Sequence, residues 1–191
     1  MFGDPVAAAF GIGARVFSVI FLPAAAVAQG VETMTGQNIG AGKPDRVEAA
    51  NHLAGRTMFA ILAVMGVVTW LFAEPIVAVF TDSPEIIDEG ATFLRFVAPT
   101  FGFLGVMRAY VGGIRGTGKT LTAAIISVGV VGAARLIIAY VGATSIGVNG
   151  LWIAFGASNI IGATVAFAWF KTGRWREMDL TGKTETAKAD D

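Results

Sequence analysis

Leu121-Thr122-Ala123-Ala124-Ile125-Ile126-Ser127-Val128-Gly129-Val130-Val131-Gly132-Ala133-Ala134-Arg135-Leu136-Ile137-Ile138-Ala139-Tyr140-Val141 is a run of 21 residues with one charge, Arg135. A helix that crosses a bilayer needs about 20 consecutive, mostly apolar residues. Periodicity does not separate a buried strand from a buried helix, but this length favours helix. Four more stretches of the same kind flank it: Val6 to Val31, Ala54 to Phe80 (whose last part lies beyond Pro75), Ala91 to Val111 and Val148 to Phe170. The stretches are rich in Gly and small residues, as membrane helices often are. The expected fold is an all-α integral membrane protein with about five transmembrane helices. Residues 1–175 form the membrane unit. Residues 176–191 form a polar, weakly patterned tail, expected to be disordered after about Leu180.

Composition agrees. Of 191 residues, 54% are apolar and 15% charged, against roughly a quarter charged in a soluble domain. Lys+Arg and Asp+Glu number 14 each, for a net charge of +0. That balance excludes a generic basic nucleic-acid binder and an acidic disordered chain. With no cysteine there is no disulfide scaffold, thiolate zinc site or cysteine nucleophile. With only His52 there is no multi-histidine metal site, and no metal is expected.

Charge sets an expected orientation. Lys43, Arg46 and Arg56 lie in or beside the first connection, and Arg108, Arg115 and Lys119 flank the third. Lys171, Arg174, Arg176, Lys183 and Lys188 follow the fifth stretch. All 11 fall on one side of a five-span zigzag. Thr81 to Gly90, on the other side, holds Asp82, Glu85, Asp88 and Glu89 but no Lys or Arg. The positive-inside rule then makes the basic side cytoplasmic. The chain is expected in the plasma membrane, multi-pass, with the N-terminus outside and the C-terminus cytoplasmic. Trp70, Tyr140 and Trp152 near the outer ends, and Tyr110, Trp169 and Trp175 near the inner ends, read as interfacial anchors. Met1-Phe2-Gly3-Asp4-Pro5 lacks the basic start of a secretory signal. An odd number of spans beginning outside leads to the expectation that further spans precede these.

Several polar groups fall inside spans. Arg15, near the bilayer middle, costs at least ~2.5 kcal/mol on insertion scales and should face protein or water. It either lines an aqueous path or is neutralised in a structural role, and Arg135 has the same two readings. Gln29, Ser158 and Asn159 either contact a substrate or hydrogen-bond between helices. Arg95 is expected to snorkel outward to Asp88 or Glu89. Ala154, Ser158, Gly162 and Ala166 form a small-residue packing ladder. Pro23 and Pro99 are expected to kink their helices. Asp82-Ser83-Pro84-Glu85 reads as a helix start, capped by Ser83 or Asp82 with Pro84 in the first turn.

Gly113-Ile114-Arg115-Gly116-Thr117-Gly118-Lys119-Thr120 fits the phosphate-loop pattern G-x-x-x-x-G-K-[ST]. Such a loop needs a strand before it, whereas an apolar stretch of membrane-helix length precedes this one. The segment is expected to be a Gly-rich basic turn that binds no nucleotide.

Gly36-Gln37-Asn38-Ile39-Gly40-Ala41-Gly42-Lys43, preceded by Val6-Ala7-Ala8-Ala9-Phe10-Gly11-Ile12, resembles the C-terminal half of the multidrug and toxic compound extrusion (MATE) transporters, where a G-Q-N-x-G-A-G run ends the eighth helix. Phe80-Thr81-Asp82-Ser83-Pro84-Glu85 resembles the start of the family's tenth helix. Gly113 to Thr120 resembles its R-G-x-G-D-T turn, with Lys119 in place of Asp. Gly147-Val148-Asn149-Gly150-Leu151-Trp152 resembles the G-x-x-G-x-W start of the twelfth helix. The resemblance covers about Val6 to Trp175. It implies that the five spans are helices eight to twelve of a twelve-helix exporter built from two six-helix lobes, a partial C-terminal lobe. Such an exporter exchanges small organic, often cationic, substrates against Na+ or H+ by alternating access. The implied partners are the lipid bilayer and either a missing N-terminal lobe or a second copy. The implied coupling-ion site lies in the missing lobe, and no cofactor, nucleotide or nucleic acid is implied. Arg15, Gln29, Arg135, Ser158 and Asn159 are the candidates for lining or bracing the transport path. Gly36, Gln37, Asn38, Gly40 and Gly42 form the motif as a structural turn. Two other readings are a flippase of lipid-linked precursors from the same superfamily and a non-transporting membrane assembly partner.

Overall fold

The computed structural model describes residues 4–176, and no strand occurs among the described residues. The helices are α1 (Asp4–Gly40), α2 (Pro44–Leu71), α3 (Ala73–Ala78), α4 (Pro84–Val97), α5 (Phe101–Gly116), α6 (Thr120–Ala124), α7 (Val131–Ile146) and α8 (Val148–Lys171). A 3-10 turn, Ala98–Thr100, joins α4 to α5, and a π-helical segment, Ile125–Val130, joins α6 to α7. These make five helices long and apolar enough to cross a membrane: Asp4–Gly40, Pro44–Leu71, Pro84–Gly116, Thr120–Ile146 and Val148–Lys171. Apart from Arg176, the expected tail lies outside the described residues.

Several boundaries differ from the sequence expectation. α1 runs to Gly40, about 55 Å along its axis, and so outlasts the hydrocarbon. Gly42, at φ +68, stops it: Lys43 N–H donates to Asn38 O at 2.8 Å and Gly42 N–H to Ile39 O at 2.9 Å. That pair of bonds is a Schellman closure, whose left-handed residue favours glycine. Gly36, Gln37, Asn38 and Gly40 are therefore the last turns of a helix and not the turn itself. The second span starts at Pro44 and breaks at Phe72, so Pro75 falls in the first turn of α3, where no N–H partner is lost. Pro99 sits in the 3-10 turn, whereas α1 stays helical through Pro23. Pro84 opens α4 and Ser83 takes the N-cap position as expected, but no side-chain cap hydrogen bond forms. The Ser83 N–H instead donates to Thr81 Oγ1 at 3.2 Å.

α5 is the hub, packed against α1, α2 and α8, while α7 packs on α8. Glycines permit the close approaches. A Cβ on Gly112 would collide with the Ala28 carbonyl, one on Gly116 with the Glu32 carbonyl, and one on Gly105 would lie 2.9 Å from Met58 O. Gly113 leaves room for the Asn51 side chain, whose Nδ2 donates to Thr35 Oγ1 at 3.1 Å and Val47 O at 2.9 Å. The ladder of Ala154, Ser158, Gly162 and Ala166 is buried, as expected of a packing face.

Polar contacts identify the two ends. Arg115 reaches Glu32 at 3.3 Å, while Arg176 pairs with Glu48 and, at 3.2 Å, with Asp45. The first and third connections and the end of α8 thus share one end, which is the basic one. At the other end Arg95 pairs with Glu74 at 2.8 Å, not with Asp88 or Glu89. Glu89 accepts instead from Trp152 Nε1 at 2.9 Å. Trp152, Tyr110 and Trp175 are only 2%, 3% and 1% exposed. They belong to the core and are not interfacial anchors. Phe93 meets Trp152 edge-on at 4.7 Å, and Phe170 stacks on Trp175 at 4.9 Å.

Candidate functional site

α1 divides into two faces. Ile20, Ala24, Ala28, Val31 and Thr35 are buried against the other helices. Arg15, Ser18, Leu22, Ala26, Gln29, Thr33 and Gln37 are exposed and recur every three or four residues. At 100° per residue they lie within about 50° of one line. Five of the seven are polar. The outward residues of α2 differ: Leu53, Ile61, Val64, Val67 and Leu71 suit lipid. So do Leu136, Ile137 and Val141 of α7. The α1 stripe is chemically distinct from these faces, and it joins Arg15 to Gln29. Arg15 lies about 16 Å along the helix from Asp4.

The structure brings Arg135 and Ser158 together, apart from Arg15 and Gln29. The Arg135 Nε–H donates to Ser158 Oγ at 3.0 Å, and its guanidinium lies 4.3 Å from the Phe155 ring centroid. Ser158 Oγ in turn donates to Phe155 O at 3.0 Å. Asn159 points elsewhere: its Nδ2 donates to Thr100 Oγ1 at 3.1 Å, tying α8 to the 3-10 turn. Ser158 and Asn159 are buried, and their hydrogen bonds tie α8 to Arg135 and to Thr100. Phe10 of α1 packs on α8 at the end opposite the basic one, with its ring centroid 5.6 Å from Phe155 and 6.3 Å from Trp152.

Arg108 emerges as a third intramembrane cation. Charge counting groups it with the third connection, but α5 continues for two more turns, to Gly116. Its guanidinium sits 4.0 Å from the Phe21 ring centroid on α1, and its Nε is buried with no hydrogen-bond partner. Among the described residues, no carboxylate lies within ion-pair distance of Arg15, Arg108 or Arg135. The helix-length signal was available, because nothing between Met107 and Gly113 stops a membrane helix.

The phosphate-loop pattern dissolves in the structure. Gly113 to Gly116 are the last turn of α5, and only Thr117 to Lys119 form a turn, closed by Gly118 N–H to Arg115 O at 2.9 Å. Gly118 is glycine because φ is +81. Among the described residues no cluster of His, Cys, Asp and Glu is arranged to hold a metal.

Known proteins resemble the chain throughout. The probable multidrug resistance protein YpnP of Bacillus subtilis (strain 168) is 28% identical over 179 residues, covering 94% of this chain and 40% of that protein. The probable multidrug resistance protein NorM of Thermotoga maritima is 29% identical over 168 residues, covering 87% of this chain and 36% of that protein. The chain therefore spans about two fifths of the length of these curated relatives. The crystal structure of the Vibrio cholerae MATE transporter VcmN in the bent form superposes with a TM-score of 0.85 at 24% identity, covering 90% of this chain and 39% of that one. A family model described as MatE matches residues 1–141. With five apolar helices long enough to cross a bilayer, the chain is a multi-pass membrane protein, and it belongs to the MatE family of transporters.

Proposed function

We propose that this chain is the C-terminal-lobe portion of a secondary multidrug exporter, its spans acting as helices eight to twelve. The exporter exchanges a small organic, often cationic, substrate against Na+ or H+. One observation carries this reading: Arg15, Ser18, Gln29, Thr33 and Gln37 share the exposed face of α1 with Val19, Leu22 and Ala26, whereas Leu53, Ile61, Val64, Val67 and Leu71 of α2 and Leu136, Ile137 and Val141 of α7 point outward as apolar side chains. Charged and polar side chains in a span face water or protein and not lipid. The stripe therefore fits the wall of an aqueous path completed by the other lobe or a second copy, since sites of such transporters lie between repeats. Arg135, held by Ser158 and Phe155, braces that wall, and Asn159 fixes the 3-10 turn behind it. The coupling site belongs to the remainder of the transporter, because Ala91 to Val111 carries no carboxylate. The basic end supports a plasma-membrane orientation with the N-terminus outside and the C-terminus cytoplasmic. Neither nucleotide nor nucleic acid has a part in this reading.

The test is ion-gradient-driven dye efflux from proteoliposomes holding this chain alone or co-assembled with a family N-terminal lobe. Coupled efflux is expected only in the co-assembled sample. Robust coupled efflux by the chain alone refutes dependence on the other lobe. A second reading, transfer of an anionic lipid-linked precursor, draws support from Arg15, Arg108 and Arg135, which have no carboxylate partner among the described residues. It is favoured if the same vesicles translocate a fluorescent lipid-linked sugar and no dye.

A further inference from the structure

A cleft of about 400 Å3 opens between α2, α5 and α8 at the basic end of the molecule, on helices other than α1 and its polar stripe. Arg56 and Lys171 stand at its walls, and neither is within ion-pair distance of a carboxylate among the described residues. Glu48, on the same helix as Arg56, is engaged by Arg176 and lies 3.5 Å from His52 Nε2. One wall is polar but closed, because His52 Nδ1 and the Tyr110 hydroxyl are 2.6 Å apart and satisfy one another. Deeper toward the bilayer, the cleft is bounded by Phe59, Val106 and Phe167. Each lies about a turn farther from the basic end than the polar group on its own helix: Phe59 below Arg56, Val106 below Tyr110, Phe167 below Lys171. Two cations thus sit about a turn nearer the basic end than an apolar trough.

We propose that this cleft is a binding site for one anionic phospholipid, whose phosphate lies between Arg56 and Lys171 and whose acyl chain lies along Phe59, Val106 and Phe167. Charge complementarity carries the assignment: two cations with no carboxylate in ion-pair distance among the described residues attract a phosphate, and basic pockets between membrane helices favour anionic headgroups. The apolar walls of Phe59, Val106 and Phe167 suit a hydrocarbon chain, which a free phosphate lacks. The proposal stands independently of the transport reading.

Lipid retention by the full chain is measured by native mass spectrometry in detergent, with phosphatidylglycerol against phosphatidylcholine. Phosphatidylglycerol is expected to be retained preferentially. The Arg56→Gln/Lys171→Gln variant is expected to weaken it about thirty-fold, whereas Arg174→Gln, on the same end but outside the cleft, leaves it within two-fold. Equal retention of both lipids overturns the proposal, as does an equal loss in Arg174→Gln. Displacement of the lipid by inorganic phosphate alone assigns the cleft to a free anion and also overturns it. If the double variant does not purify, the wild-type chain is photolabelled with a phosphatidylglycerol carrying a diazirine on its acyl chain. Labelling at the peptides of Phe59 and Phe167 supports the proposal, and labelling confined to other surfaces refutes it.

Discussion

Replacing Arg135 with Met separates a cation retained for stability from one retained for transport. An arginine in the middle of a span costs at least ~2.5 kcal/mol on insertion scales. The structure shows what it receives in return. One interhelical hydrogen bond, Nε to Ser158 Oγ at 3.0 Å, contributes ~0.6 kcal/mol by the average for membrane proteins. The guanidinium over Phe155, at 4.3 Å, contributes about 0.5–2 kcal/mol. The return is thus at most about equal to the cost. Met preserves most of the side-chain volume over Phe155, and Ser158 Oγ keeps its bond to the Phe155 carbonyl. Arg135→Met is therefore expected to be between neutral and about 1.5 kcal/mol more stable, as when other buried charges are replaced by apolar groups. Tryptophan-monitored unfolding of the purified chain in detergent reads this. Efflux by the co-assembled transporter is expected to fall while stability holds. A loss of ~3 kcal/mol or more, the size of a lost buried polar network, would make Arg135 a structural group.

Three further outcomes follow from named contacts. Asn159→Ala, which removes the bond to Thr100, is expected to lower stability by ~1 kcal/mol while the co-assembled transporter keeps its efflux; selective loss of efflux would place Asn159 on the path. Gly112→Leu forces a side chain against the Ala28 carbonyl at the α1–α5 crossing and is expected to cost about 1–3 kcal/mol by overpacking, read as a lowered unfolding midpoint; an unchanged midpoint would show that the helices separate freely there. Thr144→Cys is expected to react with an impermeant maleimide in intact cells and Thr172→Cys only after permeabilisation; the reverse pattern would invert the orientation.

The number and order of spans are legible because a bilayer imposes one length on each, and 21 residues holding only Arg135 are unambiguous. Helix ends are less legible. Gly36 to Lys43 reads as a turn because three of its residues are glycine, yet only Gly42 has the left-handed backbone that stops α1. The same habit places Arg108 beside a loop, when α5 runs on through Gly112 and Gly113 to approach α1 and make room for Asn51. Partners distant in sequence are hidden for a different reason. Asp88 and Glu89 precede Arg95 by two turns of its own helix and lie too far along the axis, whereas Glu74 is brought beside it by the α3–α4 packing. Trp152 and Trp175 follow an interfacial composition rule but are enclosed by neighbouring helices, which composition does not register. Among the candidate site residues, exposure on α1 separates Arg15 and Gln29 from the buried Ser158 and Asn159. That division depends on which faces α5 and α8 cover.

The central claim is that the exposed face of α1 borders water. The chain contains no cysteine, so single cysteines report cleanly. Ser18→Cys, Leu22→Cys, Gln29→Cys and Thr33→Cys on the stripe are compared with Val64→Cys and Val67→Cys on the apolar face of α2, in liposomes with the co-assembled N-terminal lobe. A membrane-impermeant maleimide is expected to label all four stripe positions, including apolar Leu22, well before either α2 position. Labelling of the stripe no faster than Val64→Cys and Val67→Cys would contradict the account.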